Sequence, residues 1–314
     1  MLQKKWFVPA VIFTIGLALG FLLSHLSASS QQRTEVTSIT VEDFIEVPGY
    51  PDDLSFAGEK IPLDIFYTRE SLERELIVNT YWHSSTLMLL KRTNRWFPVI
   101  EPILKKNGVP DDFKYLCLIE SNLLQAKSPA GAIGFWQILE VTAKELGLEV
   151  TEDVDQRYDV ELSTEAACNY FLKAYLKYGN WSLVAASYNA GQKKISDLLA
   201  AQRVSSYHDL LMPEETERYL FRILSMKLIV EDPKKYGFKL DEEDYYAPLA
   251  AAEVSVSGSV SSWTDFANQH GITYKLLKYF NPWLRTEKLK NQNGKTYKIK
   301  IPEAPFNKTF AGNE

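Results

Sequence analysis

The stretch from Phe113 to Gln137 constrains most tightly what this chain of 314 residues can fold into. Its first half is apolar on every side, which is typical of a helix that is buried all round. Glu120 comes directly after this apolar run and shares a helical stripe with Phe113 and Cys117. Because burial disfavours the charged form of a carboxyl group, Glu120 is a candidate proton donor. A glutamate that simply reaches water from a helix end would fit the same pattern.

A loop of small residues follows this helix. Residues 128–134 include Gly131 and Gly134, which let a backbone approach a ligand closely. Phe135 and Trp136 then supply aromatic surface, and Gln137 supplies an amide that both donates and accepts hydrogen bonds. A buried acid, a tight loop and an aromatic–amide pair suit a groove for a polar polymer such as a sugar chain.

Three ordered motifs in this part of the chain resemble those of the lysozyme-like lytic transglycosylases. That family carries a Glu-Ser pair, a Gly-x-x-Gly-x-x-Gln loop and an Ala-Tyr-Asn-x-Gly motif. Here they read Glu120-Ser121, Gly131-Ala132-Ile133-Gly134-Phe135-Trp136-Gln137 and Ser187-Tyr188-Asn189-Ala190-Gly191. Ser187 replaces the usual alanine, and Leu139 stands where some relatives have methionine, but neither change removes a group that the chemistry needs. The resemblance runs from about Arg95 to Tyr236.

The resemblance implies a mainly α fold, with a lysozyme-like catalytic domain over residues 95–240. It also implies cleavage of the MurNAc–GlcNAc β-1,4 bond of peptidoglycan with formation of a 1,6-anhydro ring, Glu120 acting first as acid and then as base. Tyr188 would lie beside this glutamate and orient the acid or the sugar's acetamide. The expected substrate-binding residues are Ser128, Gln137, Tyr188, Asn189 and Tyr219. For Tyr219, plain core packing is the alternative.

The motifs contain no obvious second acid near Glu120. Ordinary glycoside hydrolysis usually pairs two carboxyl groups, so a single one favours an intramolecular reaction. Two alternatives stay open, a muramidase of the same fold that admits water and a cell-wall-binding anchor protein whose site is inactive.

Residues 1–30 are expected to direct the chain to the cell envelope. Lys4 and Lys5 precede an uncharged apolar run from Trp6 to Leu23, close to the short limit of about 17–25 residues for a membrane span. We expect residues 6–23 to stay as an inner-membrane anchor with the rest of the chain in the periplasm. A secretory signal cleaved after a small-residue site near Ala28 is the alternative.

The amino-acid composition excludes some classes of binding partner. A net charge of −5 argues against a general nucleic-acid binder. The four histidines are scattered and no ligand spacing is present, so neither a metal site nor a cofactor is predicted. Cys117 and Cys168 fall in predicted helices and are expected to be buried free thiols, with a disulfide as the alternative. Peptidoglycan glycan strands are the expected partner, the membrane a second one through the N-terminal segment, and no protein partner is indicated.

The remaining segments carry weaker signals. Within residues 31–94 a polar tether is expected up to Lys60, followed by helical material from Ile61 to Lys91, and another helix is expected from Arg95 to Asn107. The aromatic cluster Tyr81-Trp82-His83 is expected to pack in the core, with groove surface as the alternative. Arg157 and Asp159 are expected to form a structural pair, with substrate contact as the alternative. Residues 250–303 predict a strand, two helices and a closing strand, an order that resembles a LysM peptidoglycan-binding module; an appendage that binds nothing is the alternative.

Overall fold

The computed structural model describes residues 46–303, and the elements below all lie in the compact unit that begins at Pro48. The predicted anchor over residues 6–23 falls outside the described part of the chain. No helix within residues 46–303 combines the length and the apolar character needed to cross a membrane.

The described residues are mainly α-helical, which confirms the predicted fold class. A short hairpin comes first, with β1 (Ser55–Phe56) and β2 (Glu59–Lys60). The helical domain follows with α1 (Phe66–Tyr81), α2 (His83–Lys106), α3 (Phe113–Ser121), α4 (Glu140–Glu145), α5 (Val160–Tyr178), α6 (Trp181–Ala190), α7 (Gln192–Gln202) and α8 (Glu214–Glu231). The C-terminal module consists of β3 (Ala251–Val256), α9 (Trp263–Gln269), α10 (Tyr274–Phe280) and β4 (Tyr297–Pro302).

Helix α3 is the central helix of the helical domain, and it packs against α2 and α8. Its side chains Phe113, Leu116 and Cys117 are fully buried, as the all-apolar pattern predicts. The helix ends because Asn122 adopts a left-handed backbone with φ +52°, and its N–H closes on the Leu118 carbonyl at 2.9 Å. Glu120 therefore sits in the last turn of a rigid, buried helix.

Helices α5 and α6 begin at side-chain caps. The Asp159 carboxylate accepts hydrogen bonds from the first N–H groups of α5, and the Asn180 amide oxygen does the same for α6. Helix α6 runs to Ala190 and stops at Gly191 with φ +86°. Tyr188 lies on the last turn of α6 and not in a loop after it.

Two predictions for the first part of the chain are wrong. The polar segment up to Lys60 is not all tether, because Leu54 and Phe56 pack into the core with Ile61. The helical material is not broken near Lys91, because the break between α1 and α2 falls at Trp82. Helix α2 continues through two prolines to Lys106, since buried side chains along its length hold it against the core.

The C-terminal module has the predicted β-α-α-β order. Strands β3 and β4 pair antiparallel, with Ala251 opposite Pro302. The module has its own small core around Trp263, Leu277 and Ile299, and Val154 of the helical domain is part of that core. Cys117 and Cys168, both in the helical domain, are buried and free, as predicted.

Candidate active site

Glu120 is half-buried at the end of α3 and is bonded to a tyrosine of α8. The Tyr219 hydroxyl donates a hydrogen bond to Glu120 Oε1. Burial raises the pKa of Glu120, and although the Tyr219 hydrogen bond and the charge of Arg222 lower it, the net shift is upward. A carboxyl group with a raised pKa keeps its proton to a higher pH, which a general acid requires.

Tyr188 and Tyr219 occupy different positions around this carboxyl group. Burial raises the pKa of Tyr188, and the charge of Glu120 raises it further, so this ring lies within electrostatic reach of the acid. Its hydroxyl, however, donates to the Trp136 carbonyl oxygen at 2.7 Å. The hydrogen bond to the acid expected of Tyr188 is thus made by Tyr219, which is buried on α8.

The glycine loop is held by side chains that were expected to contact sugar. The Ser128 hydroxyl oxygen accepts from the Ala132 N–H at 3.0 Å. The Gln137 side-chain amide donates to the Gly134 carbonyl at 2.7 Å, and its backbone has φ +48°, a left-handed conformation that is costly for a residue with a side chain. A Cβ on Gly134 would lie 2.1 Å from the Arg157 carbonyl oxygen, so only glycine fits there.

Arg157 contacts the glycine loop and holds it in place through hydrogen bonds. Its guanidinium forms a buried ion pair with Asp155, at 2.9 and 2.8 Å, and also donates to the carbonyls of Gly131 and Ile138 at 3.3 Å. The predicted partner Asp159 is not bonded in this way, because its carboxylate caps α5. The structural role expected of Arg157 is present, but with a different acid.

Asn189 and Trp136 both have internal partners. The Asn189 amide oxygen accepts from the Thr216 hydroxyl at 2.9 Å, which ties α6 to α8. The Trp136 indole is fully buried and its N–H donates to the Thr164 hydroxyl at 2.8 Å. The indole of Trp136 is therefore core structure and offers no face to a ligand.

A cavity of about 590 Å³ lies against the end of α3, within the size range of ligand pockets, and Glu120 itself is not among its lining residues. Ile119 and Asn122, the neighbours of Glu120 and Ser121 in the chain, line it together with Glu215 and Arg222 of α8. Trp82 also lines this cavity and is 62% exposed. Its predicted place in the core is wrong, because the backbone turns between α1 and α2 at this residue and carries the ring outward.

Sequence reasoning missed Arg222 and Glu215. Both charges act on the pKa of Glu120, Arg222 lowering it and Glu215 raising it. A signal for Arg222 was available, since it lies three residues after Tyr219 and so on the same helix face. Within residues 46–303 no group of three or more acids, histidines or cysteines is placed to hold a metal ion.

Two protein-family models match the chain in the predicted order. Residues 97–210 match the family described as transglycosylase SLT domain. Residues 252–305 match the soluble lytic transglycosylase C-terminal LysM-like domain. The resemblance to lytic transglycosylases and to a LysM module is thereby confirmed.

Two curated relatives and one solved structure are similar to parts of the chain. Membrane-bound lytic murein transglycosylase D of Escherichia coli (strain K12) is 29% identical over 268 residues, which cover 82% of this chain and 58% of the relative. A protein of Alteromonas sp. (strain M-1), named for tributyltin chloride resistance, is 28% identical over 117 residues, 37% of this chain and 56% of its own. The chain thus spans little more than half the length of the curated relatives it matches.

The solved structure is an X-ray structure of an inactive mutant of lytic transglycosylase Slt from Pseudomonas aeruginosa. It is 19% identical with a TM-score of 0.37, and the match covers 48% of this chain and 26% of that one.

Proposed function

We propose that this chain is a peptidoglycan lytic transglycosylase, which cleaves the β-1,4 bond between MurNAc and GlcNAc and forms 1,6-anhydroMurNAc. The observation that carries the proposal is the carboxyl group of Glu120, whose pKa is raised by burial at the end of α3, where its chain neighbours Ile119 and Asn122 line a cavity. The match to the transglycosylase SLT domain and the name of the Escherichia coli relative support the same reaction.

The proposed reaction uses one carboxyl group twice. Glu120 gives its proton to the oxygen that links the two sugars, the C1–O bond breaks, and the acetamide oxygen stabilises the positive charge at C1. The resulting carboxylate takes the proton of the C6 hydroxyl while O6 bonds to C1 and closes the ring. No water is consumed, and Glu120 ends the cycle protonated, as it began.

The hydrogen bond from Tyr219 indicates which oxygen of Glu120 carries the proton. Because its hydroxyl donates to Oε1 of Glu120, we assign the acidic proton to the other oxygen, Oε2. The packed helices α3 and α8 that carry the two side chains would fix the position of this oxygen, and positioning supplies a large share of the rate in intramolecular reactions.

The remaining site residues have secondary roles in the proposal. Ser128 and Gln137 shape the glycine loop, and each keeps hydrogen-bonding capacity for sugar, the hydroxyl proton of Ser128 and the amide oxygen of Gln137. Tyr188 holds the Trp136 backbone beside the acid, and Asn189 fixes α6 to α8. A cell-envelope location, with residues 6–23 as membrane anchor, remains part of the proposal.

One observation favours a second candidate, a muramidase. The acid Glu215 lines the cavity and its charge reaches Glu120, so a second carboxyl group is nearer than the sequence motifs indicate. In a hydrolase it would serve as base or nucleophile, as in glycosidases with paired carboxyl groups. Glu215 is exposed at the start of α8, where water already solvates it, and this favours the single-acid reaction.

The test compares two isosteric variants on purified wall sacculi. We expect Glu120→Gln to lower the release of soluble muropeptides by about 10²- to 10⁴-fold, the usual contribution of a general acid–base group. Glu215→Gln should retain most of the release. Equal loss in both variants would favour the muramidase, and full release with Glu120→Gln would refute the proposal.

A further inference from the structure

The C-terminal module pairs with a short stretch of the helical domain, residues 153–158, which we call the contact segment. Val154 of this segment forms an antiparallel β-bridge with Leu284 of the module. A backbone hydrogen bond lies on each side of this bridge. The Trp283 carbonyl accepts one from the contact segment at 2.9 Å, and the Arg285 N–H donates the other to it at 2.8 Å. The module thus gives the contact segment a strand-like partner.

Side chains fasten the contact segment to the module as well. Val154 is buried and belongs to the module's own core, although it comes from the helical domain. The Asp153 carboxylate accepts from the Thr286 hydroxyl at 2.8 Å and from the Lys290 N–H at 3.0 Å. Backbone and side chains together therefore fix the start of the contact segment on the module.

The next residues of the contact segment hold the glycine loop. Asp155 and Arg157 are 6% and 5% exposed and form an ion pair. The Arg157 guanidinium also donates to the carbonyls of Gly131 and Ile138 at 3.3 Å, and its own carbonyl lies where a Cβ on Gly134 would be. The glycine loop therefore takes its position from residues that directly follow the contact with the module.

The backbone of Asp155 connects the two contacts. Its N–H donates to the Trp283 carbonyl of the module, while its carboxylate accepts from the Arg157 guanidinium at 2.9 and 2.8 Å. A buried ion pair repays the desolvation of its charges only when its geometry is good. If the module contact loosens, the acid moves, and Arg157 no longer has a fixed partner from which to hold the loop.

We propose that Asp155 and Arg157 are positioning residues for the transglycosylase reaction, and that the C-terminal module keeps them in place. The inference rests on the proposed function for the reaction that is affected. The module then contributes to the chemical step through the contact segment, separately from any binding of substrate. A contact that only binds substrate lowers KM, whereas one that positions the site raises kcat.

The first test is steady-state kinetics of the full-length protein on soluble, uncross-linked peptidoglycan strands. Val154→Ala shortens the side chain that anchors the contact segment in the module's core. We expect kcat to fall by about fivefold or more with KM within about twofold of the wild type, because a misplacement of about 1 Å can cost about 10²-fold in rate. Thr286→Val, which acts from the module side by removing the hydroxyl bonded to Asp153, should lower kcat by a smaller factor.

The second test is amide hydrogen exchange, which needs no catalysis. Within the glycine loop the Gly134 N–H donates to the Ala126 carbonyl at 2.9 Å, and the Ile138 N–H donates to the Ile133 carbonyl at 3.1 Å. We expect both amides to exchange faster in Val154→Ala, while the amides of α8 keep their wild-type rates. A wild-type protein that forms no product would refute the proposed function, and the exchange rates would still decide whether the module holds the loop.

Two variants inside the module are matched controls. Val256→Ala shortens a valine of β3 that packs against the same core, and Thr296→Val removes a hydroxyl that is hydrogen-bonded to the Ser257 hydroxyl at 2.9 Å. Both should keep the wild-type kcat and loop exchange. An equal loss in either control, or unchanged kcat and loop exchange in Val154→Ala, would overturn the proposal. A rise in KM at constant kcat would overturn it too, because the module would then act through substrate binding alone.

Discussion

Glu120 and Tyr219 form the pair on which the proposed chemistry depends. The carboxyl group is shielded enough for its pKa to rise, yet one oxygen accepts a hydrogen bond that stabilises the charged form. The net upward shift of the pKa favours the protonated form that a general acid needs, and the Tyr219 hydrogen bond stabilises the carboxylate that forms when the proton leaves. Two charged residues of α8 shift the pKa of Glu120 in opposite directions: Arg222 lowers it and Glu215 raises it.

This balance predicts opposite pH shifts in two variants. The protonated fraction of Glu120, and with it kcat/KM, falls as the pH rises through its pKa. Tyr219→Phe removes a group that lowers this pKa, so the basic limb of the kcat/KM profile should move to higher pH. Glu215→Gln removes a charge that raises it, so the limb should move to lower pH. Measured pH profiles that shift together, or not at all, would contradict the assignment of Glu120 as the acid.

At the scale of elements, the glycine loop depends on the segment that carries Arg157. Gly134 lies against the Arg157 carbonyl, and the guanidinium of Arg157 is bonded to loop carbonyls and to Asp155. The same short segment reaches the C-terminal module through Asp153 and Val154. One stretch of backbone thus supports the loop on one side and the module on the other.

Two glycines of the loop provide a matched comparison. Gly131 and Gly134 share φ +82°, so alanine at either position costs about 1–2 kcal/mol of backbone strain. Only at Gly134 does the new Cβ meet another backbone, at 2.1 Å, so Gly134→Ala should lose clearly more unfolding free energy than Gly131→Ala and most of its activity. Denaturant unfolding with activity assays would check this, and equal losses would show that the contact with Arg157 does not constrain the loop.

Some elements were predictable from local pattern and others were not. The buried helix α3 with its terminal glutamate could be read from the sequence, because burial on all sides and the ordered motifs act over short distances. The packed hairpin near Phe56 was missed because two-residue strands give no periodic signal. The partner of Arg157 is Asp155 and not the expected Asp159. Of the two roles expected of Tyr188, the hydrogen bond to Glu120 is made by Tyr219, and the contact with the acetamide stays a prediction. Only the tertiary fold decides which of two nearby acids or tyrosines is within reach.

At the scale of the whole molecule, the helical domain and the C-terminal module form one continuous structure over residues 48–303. The module's order of elements was predicted, whereas its attachment was not, because sequence patterns do not report contacts between domains. The attachment uses part-buried hydrogen bonds to the buried Asp153 and exposed ion pairs such as Glu152 with Lys290. Exposed pairs contribute little free energy, so the buried acid should dominate.

Replacing Asp153 and Glu152 one at a time would separate their contributions to the unfolding free energy. Asp153→Ala leaves the Lys290 N–H without its acceptor and leaves the Thr286 hydroxyl only the Lys288 carbonyl, and it should cost about 1–3 kcal/mol of unfolding free energy. Glu152→Ala, the neighbouring exposed control, should cost less than about 0.5 kcal/mol. Thermal unfolding and protease cleavage in the linker near Asp244 would measure both, and similar behaviour of the two variants would contradict the central role of Asp153.

The pH dependence of this contact has a definite sign. Burial raises the pKa of Asp153, but the hydrogen bonds from Thr286 and the Lys290 N–H outweigh it, and the net pKa is lowered. A lowered pKa contributes stability that is present above the unfolded-state pKa and is lost as the pH falls through the folded-state value. The difference in stability between the wild type and Asp153→Ala should therefore shrink in acid, and a constant difference would argue against an ionised Asp153.

The central claim, that one carboxyl group closes an intramolecular ring without water, is tested most directly by running the reaction in ¹⁸O-labelled water. Sacculi would be digested with the full-length protein and the released sugars analysed by mass spectrometry. The account predicts 1,6-anhydro products free of label. Reducing-end products that carry one ¹⁸O would contradict it, because a water molecule would then have attacked C1.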